Sequence, residues 1–263
     1  MKSLRRYGPG GVLIAVPLLL ALFGPLFVPA DTPRRGPFLP GGLLGTDFVG
    51  RDAWHQVLTG GQTVVLVALL ATAGAYLAGV PWGVLAATAR LRIFDEALMR
   101  PLDLLLAVPS LLLLILVAAI AGQGVLVLTG IVALINFPDV ARISRAAALE
   151  LASSPALEAM RLQGESRYRI FVVYIGRSMS RTLAADLGVR LTGALYLVAS
   201  ASFLGVGVPP DAADWAVMVD RNRTGLFLQP WAVVVPAVLI VCLSIGLNLV
   251  FDRALRTRRE VRP

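Results

Sequence analysis

The chain has 263 residues, of which 57% are hydrophobic and 15% charged, with a net charge of +8 and a mean hydropathy of +0.78. That balance excludes a disordered chain, a disulfide scaffold and most soluble enzymes, because too little polar surface is left to cover a core. The charge distribution points instead to a polytopic, all-α membrane protein.

Val12 to Val28 is the first apolar run, behind Lys2, Arg5 and Arg6. Its core of about 17 residues exceeds a usual signal-peptide h-region and more runs follow, so it is read as a retained helix. Gln62 to Ala89, Leu104 to Pro138, Leu191 to Pro210 and Thr224 to Phe251 carry no charge. A helix needs about 20 apolar residues to cross roughly 30 Å of hydrocarbon. The second span is placed within Thr63 to Ala87. Leu104 to Pro138 is too long for one helix, and the glycines at Gly122 and Gly124 break it, giving spans near Leu104 to Ile120 and Val125 to Pro138. The fifth span covers Asp186 to Leu204 and the sixth Trp231 to Phe251. Six transmembrane helices are predicted. The chain divides into residues 1–62 (first helix and outer loop), a five-helix core at 63–251 with a cytoplasmic loop at 139–186, and a basic tail at 252–263.

Basic residues set the orientation. With the N-terminus cytoplasmic, the inner segments hold 19 of the 24 and the outer segments 5. Both termini are therefore expected in the cytoplasm. The positive charge is a topology signal rather than a nucleic-acid footprint, since it lies between membrane spans.

Single-residue counts remove whole chemistries. Lys2 is the only lysine, so neither a G-x-x-x-x-G-K phosphate loop nor an internal Schiff-base lysine can be built. His55 and Cys242 are the only residues of their kinds, which excludes a Cys-His nucleophile pair, a His/Cys zinc site and an intrachain disulfide. His55 reads as a loop or interface residue and Cys242 as small packing.

Polar residues within or at the ends of the spans (Asn136, Asp139, Asp186, Arg190, Thr192 and Asn248) admit two readings. Ionisable groups in a membrane raise a pathway role by default, and charges near span ends are also explained by snorkelling. Gly74, Gly79, Gly83 and Gly193 are read as close helix packing.

The long inner loop, Asp139 to Asp186, contains one short helix over Pro155 to Gln163. Ser154 can cap it, Pro155 suits its first position and Gly164 suits the left-handed exit. Glu158 and Arg161 share a face at i, i+3. A second helix is expected from Ser166. A rigid helix held outside the membrane is a lever for a soluble partner, or else an interfacial amphipathic helix; spacing alone does not separate the two. Val206 to Gln229 is the outer loop with most features: Pro209, Pro210, Asp211, Asp214, Trp215, Asp220, Arg221 and Arg223. It reads as an interfacial segment with Trp215 and Trp231 at headgroup level, or as a loop that meets a partner.

Glu158-Ala159-Met160-Arg161-Leu162-Gln163-Gly164, followed by Ile170, resembles the E-A-A…G…I-L-P signature of importer permeases in ABC transporters. Leu44 to Asp52 is similar to the L-G-T-D-x-x-G-R-D segment of the dipeptide/oligopeptide/nickel group, and Asp95 to Asp103 to its D-x-x-L-M-R-x-x-D. Ser202 to Pro210 with Asp214-Trp215 is similar to its S-F-L-G-x-G-x-x-P-P…W-G, and Asn248 to Arg256 to its N-L-x-G-D-x-L-R end. Five motifs stand in the family's order over Val12 to Arg256, as in the second permease of that group. Departures are Met160 for alanine, Gln163 for an apolar residue, Gly176-Arg177 for Leu-Pro and Ala216 for glycine.

This resemblance implies a type I ABC importer permease fold in a bacterial plasma membrane. It also implies a homologous permease partner, two ATPase subunits that bind ATP and Mg²⁺, and an extracytoplasmic substrate-binding protein, with no cofactor held by this chain. Glu158, Ala159, Arg161 and Gly164 would couple to the ATPase. Asp211, Asp214, Trp215, Asp220 and Arg221 would form an outer gate or binding-protein contact. The competing readings are a stand-alone secondary transporter or channel, disfavoured by the lack of a paired discontinuous helix and mid-span carboxylate, and an intramembrane protease, disfavoured by the position of His55.

Overall fold

In hydrocarbon, backbone N–H and C=O groups must find partners within their own segment, so charge-free runs of this length can cross only as helices. The computed structural model describes residues 2–29, 33–89, 91–166, 168–209 and 211–260, without the side chains of residues 2–9, 161, 171–172 and 252–260. Its α-helices are α1 (Lys2–Phe23), α2 (Ala53–Thr88), α3 (Arg92–Ala107), α4 (Ser110–Ala121), α5 (Val125–Ala152), α6 (Pro155–Leu162), α7 (Gly176–Phe203), α8 (Trp215–Asn222) and α9 (Trp231–Glu260). Five stretches are long and apolar enough to cross a membrane: Gly10–Phe27, Ala53–Thr88, Val125–Ala152, Val173–Phe203 and Trp231–Phe251. The α3–α4 pair is a sixth if its two arms, bent by 95°, count as one span. The protein is multi-pass and helical.

The predicted third span, Leu104 to Ile120, is therefore corrected: it is broken at Val108-Pro109. Proline forces the preceding residue out of the helical region, and Val108 is extended, at ψ 129°. Three other boundaries move. Asp52 starts α2 at Ala53 rather than Thr63, because its carboxylate caps Trp54 N and His55 N at 2.9 and 3.2 Å. α5 does not end at Pro138 but runs on to Ala152. α7 begins at Gly176, not Asp186, after a π-type turn at Arg169–Ile175. The expected loop 139–186 is thus mostly helix, and only the stretch around α6 stands outside the long helices.

α2 and α5 form the most extensive helix pair, with α7 against both. Glycines let the first two approach. A Cβ on Gly79 would lie 2.9 Å from Val140 Cβ, and one on Gly83 only 2.3 Å from Ala141 O. This is the small-xxx-small packing expected where no hydrophobic effect drives helices together. Gly193 has nothing within 4 Å of such a Cβ, and Gly74 makes only an ordinary contact with Ala133, so close packing does not explain those two. The main core gathers Val64, Val67, Leu114, Leu128, Val132, Val198 and Trp215. A second, separate cluster of Ala147, Ala148, Leu157, Ile170, Ile175 and Met179 ties α6 to α5 and α7.

Candidate functional site

The arrangement has three parts: an outlying helix at the arginine-rich end, an ion-pair belt that joins the helices, and a folded cap at the other end.

At the arginine-rich end, Ser154 Oγ accepts Leu157 N at 3.4 Å and donates to Leu151 O at 2.7 Å. The exit is a Schellman turn. Gly164 has φ +74°, and Glu165 N reaches back to Met160 O at 3.1 Å. Leu157 is 1% exposed and anchors the helix in the second cluster. Glu158, Ala159 and Leu162 face outward, and Leu162 is 84% exposed. The side chain of Arg161 lies outside the described residues. Partly buried Met160 packs beside Leu157 against the same cluster, so the anchored helix keeps Glu158, Ala159 and Leu162 on an outward face.

The belt ties the spans together. Arg145 forms a two-pronged pair with Asp95, with Nε to Oδ1 at 2.6 Å. Arg142 pairs with Asp103, so the D-x-x-L-M-R-x-x-D segment staples α3 to α5 through both of its aspartates. Arg190 bridges Asp139 of α5 at 2.6 Å and Asp186 of its own helix at 3.1 Å. The Tyr76 hydroxyl of α2 donates to the other oxygen of Asp186 at 2.8 Å. The longer α5 and α7 carry Asp139, Asp186 and Arg190 within the helices rather than at the ends predicted for them.

At the far end, the Leu44 to Asp52 segment folds on itself. Buried Asp47 accepts Val49 N and Arg51 N through Oδ1, at 3.0 and 2.8 Å, and pairs with Arg51 Nε at 2.7 Å. Arg51 then donates to Asp211 O at 2.7 Å, and Phe48 N donates to Asn222 Oδ1 at 2.9 Å. This loop docks onto α8 and its approach. Asp214 caps α8 through Ala216 N and Val217 N. Trp215 is fully buried, with its Nε1 donating to Val57 O at 2.8 Å. Asp214 and Trp215 thus sit inside the protein and frame the loop, while Trp231 is 54% exposed. Asp211 is exposed, while Asp220 and Arg221 are partly exposed and form a weak pair at 3.7 Å.

Burial pushes the Asp214 carboxyl up to about 6, against the two backbone N–H groups that lower it. The nearby Ser202 hydroxyl also lowers it, while Ser202 Oγ and Asp214 Oδ2 meet no partner in full hydrogen-bond geometry among the described residues.

Sequence reasoning missed the capping role of Asp52, although Asp before Ala-Trp is a readable helix start. It also missed the structural role of Asp47. Among the described residues no group of acidic, histidine or cysteine side chains could hold a metal ion.

The described residues form a multi-pass helical bundle with a short anchored helix outside it. The match to known proteins makes the class specific: residues 79–258 fit the family described as "Binding-protein-dependent transport system inner membrane component", and the chain belongs to that family. It is 34% identical over 256 residues to a candidate peptide transport system permease protein of Brucella suis, covering 94% of this chain and 85% of that one. It is 28% identical over 256 residues to a di/tripeptide transport system permease protein of Pseudomonas aeruginosa (92% and 84% covered). An oligopeptide transport system permease protein of Bacillus subtilis is 28% identical over 249 residues, with 92% and 81% covered.

Proposed function

We propose that this chain is a pathway-forming permease subunit of an ATP-driven, binding-protein-dependent importer that carries peptides across a bacterial inner membrane. The observation that carries this reading is the coincidence of family membership with α6, an anchored helix whose outward Glu158, Ala159 and Leu162 are exposed among the described residues. In the proposed assembly a homologous permease closes the pathway, two ATPase subunits bind ATP and Mg²⁺, and an extracytoplasmic binding protein delivers the peptide. The arginine-rich end and both termini face the cytoplasm, in line with the 19 to 5 split of basic residues. Glu158, Ala159, Arg161 and Gly164 belong to the knob that seats in an ATPase groove, where closure of that subunit is converted into helix motion. Asp211, Asp220 and Arg221 offer the surface charges for the binding protein, with Asp214 and Trp215 fixing the loop that carries them.

The test is reconstitution of the four-component complex in liposomes, with labelled Ala-Ala presented by the binding protein outside and ATP inside. ATP-dependent accumulation is the expected result. Flux driven by a gradient through this chain alone would overturn the reading and favour a secondary transporter.

A further inference from the structure

The rise of about 1.5 Å per residue puts Asp139 roughly 21 Å along α5 from Val125, and Arg190 roughly 20 Å from the end of α7 at Phe203. Each helix has 28 residues and is about 42 Å long, so both residues lie near the middle of their helices. There, two carboxylates meet one guanidinium. Asp186 already uses both oxygens, on Arg190 Nε and Tyr76 Oη, so Arg190 is held by its own helix before α5 contributes anything. Asp139 adds a second negative charge through Oδ2, and its Oδ1 has no hydrogen-bond partner among the described residues. The nearest arginines on α5 do not offset it, since Arg142 and Arg145 are engaged with Asp103 and Asp95. A surplus charge near the middle of a membrane helix costs free energy unless something pairs with it.

Asp139 lines a cavity of about 250 Å³ under the α3–α4 break, together with Val108, Pro109, Ser110, Leu113 and Ile135 among others. Its lining residues are apolar except for Asp139 and Ser110. The facing ends of α3 and α4 bring partial charges of opposite sign, so the carboxylate sets the field. The volume is below the roughly 300–1,000 Å³ of a whole-ligand pocket, and suits one end of a ligand. A hard metal ion would want six or more oxygens, which these walls do not supply. A primary ammonium needs fewer: a carboxylate, a hydroxyl and a water satisfy its three N–H donors.

We propose that Asp139, steered by its pair with Arg190 and lining the cavity beneath the α3–α4 break, is a subsite for a primary ammonium group, the amino terminus of a peptide in transit. This inference rests on the peptide-transport reading above. Its test uses the assembled permease–ATPase complex without binding protein, titrated with Ala-Ala and with N-acetyl-Ala-Ala, which lacks the ammonium. The wild type is expected to bind the free peptide at least about tenfold more tightly, a difference of about 1.4 kcal/mol. Asp139→Asn brings the two peptides within about twofold, and Asp139→Glu restores the preference. A merely stapling role would leave the ratio unchanged in every variant that assembles. Equal binding of both peptides by the wild type, or no binding of either, overturns the subsite even if Asp139→Asn does not assemble. Absence of ATP-driven uptake by the complete wild-type system would instead overturn the transport reading, so the two failures are distinguishable.

Discussion

Arg145 grips Asp95 across 50 residues of sequence, with Nε and Nη2 each on a different carboxylate oxygen, and so fixes α3 against α5. The pair is partly shielded, with side chains 33% and 19% exposed. Bidentate charge-assisted pairs are the strong ones, while partial exposure screens them. Asp95→Asn is expected to lower the melting temperature of the purified protein, for a loss of about 1–2 kcal/mol. The double reversal Asp95→Arg with Arg145→Asp should recover part of the loss. An unchanged melting temperature in Asp95→Asn would show that the staple carries no stability.

Gly83 is the tightest point of the α2–α5 seam. Because even a methyl group there would meet Ala141 O at 2.3 Å, Gly83→Val must push the helices apart. The loss expected for such overpacking is about 1–3 kcal/mol or more. Membrane levels of Gly83→Val should fall well below those of Gly130→Val, where nothing lies within 4 Å. Equal levels would contradict the packing.

Orientation is tested by thiol labelling in a Cys242→Ala background. Ser166 and Asp211 are exposed at opposite ends of the bundle. A cysteine at position 166 is expected to be protected from an impermeant reagent in intact cells, and one at 211 to react. Reaction at 166 and protection at 211 would invert the proposed topology.

What the sequence made legible follows from which signals are local. The short helix before Gly164 was readable because its cap, its first-turn proline and its glycine exit are all within a dozen residues, and each found its expected geometry. The apolar runs gave the spans, since burial in lipid depends on composition more than on partners. Span ends were less readable. Pro138 looked like a stop, yet α5 continues because packing against α2 holds both sides of it. The span placed over Leu104 to Ile120 took no account of Pro109, where the chain breaks into two arms bent by 95°. The pairing of Asp139 with Arg190 joins residues 51 apart, and no local pattern encodes that.

The Asp214 carboxyl gives a pH dependence with a definite sign. Its pKa rises from 3.8 in a free chain to about 6 in the fold. Between those values the folded protein keeps a proton that the unfolded chain has lost, so stability falls as pH rises through the window. The favourable contribution is complete below about 4 and gone above about 6. A two-unit shift corresponds to an upper bound of about 3 kcal/mol. Asn caps a helix as well as Asp, so Asp214→Asn should retain α8 while flattening the dependence between pH 4 and 6. Melting curves of both proteins over that range decide the matter. Parallel slopes would remove Asp214 as their source.

The coupling proposal is tested at two residues of α6 that differ in kind. Gly164 occupies φ +74° with open space around it, so Gly164→Val strains the backbone without a clash. Glu158 is exposed, and Glu158→Lys reverses a surface charge at nearly unchanged helix propensity. Leu157 continues to anchor the helix in both variants, so membrane insertion and level should stay near wild type. Surface changes away from special features usually cost within about 0.5 kcal/mol, and a bystander helix would therefore leave uptake near normal. The coupling reading expects peptide uptake to fall at least about tenfold in both, with ATPase subunits lost from the purified complex or no longer stimulated by loaded binding protein. Uptake, ATPase retention and permease level are measured on the same membranes. Near-normal uptake by both variants at normal level would sink a coupling role for Glu158 to Gly164, and loss of uptake with full, stimulated ATPase activity would move the defect from docking to the response of the spans.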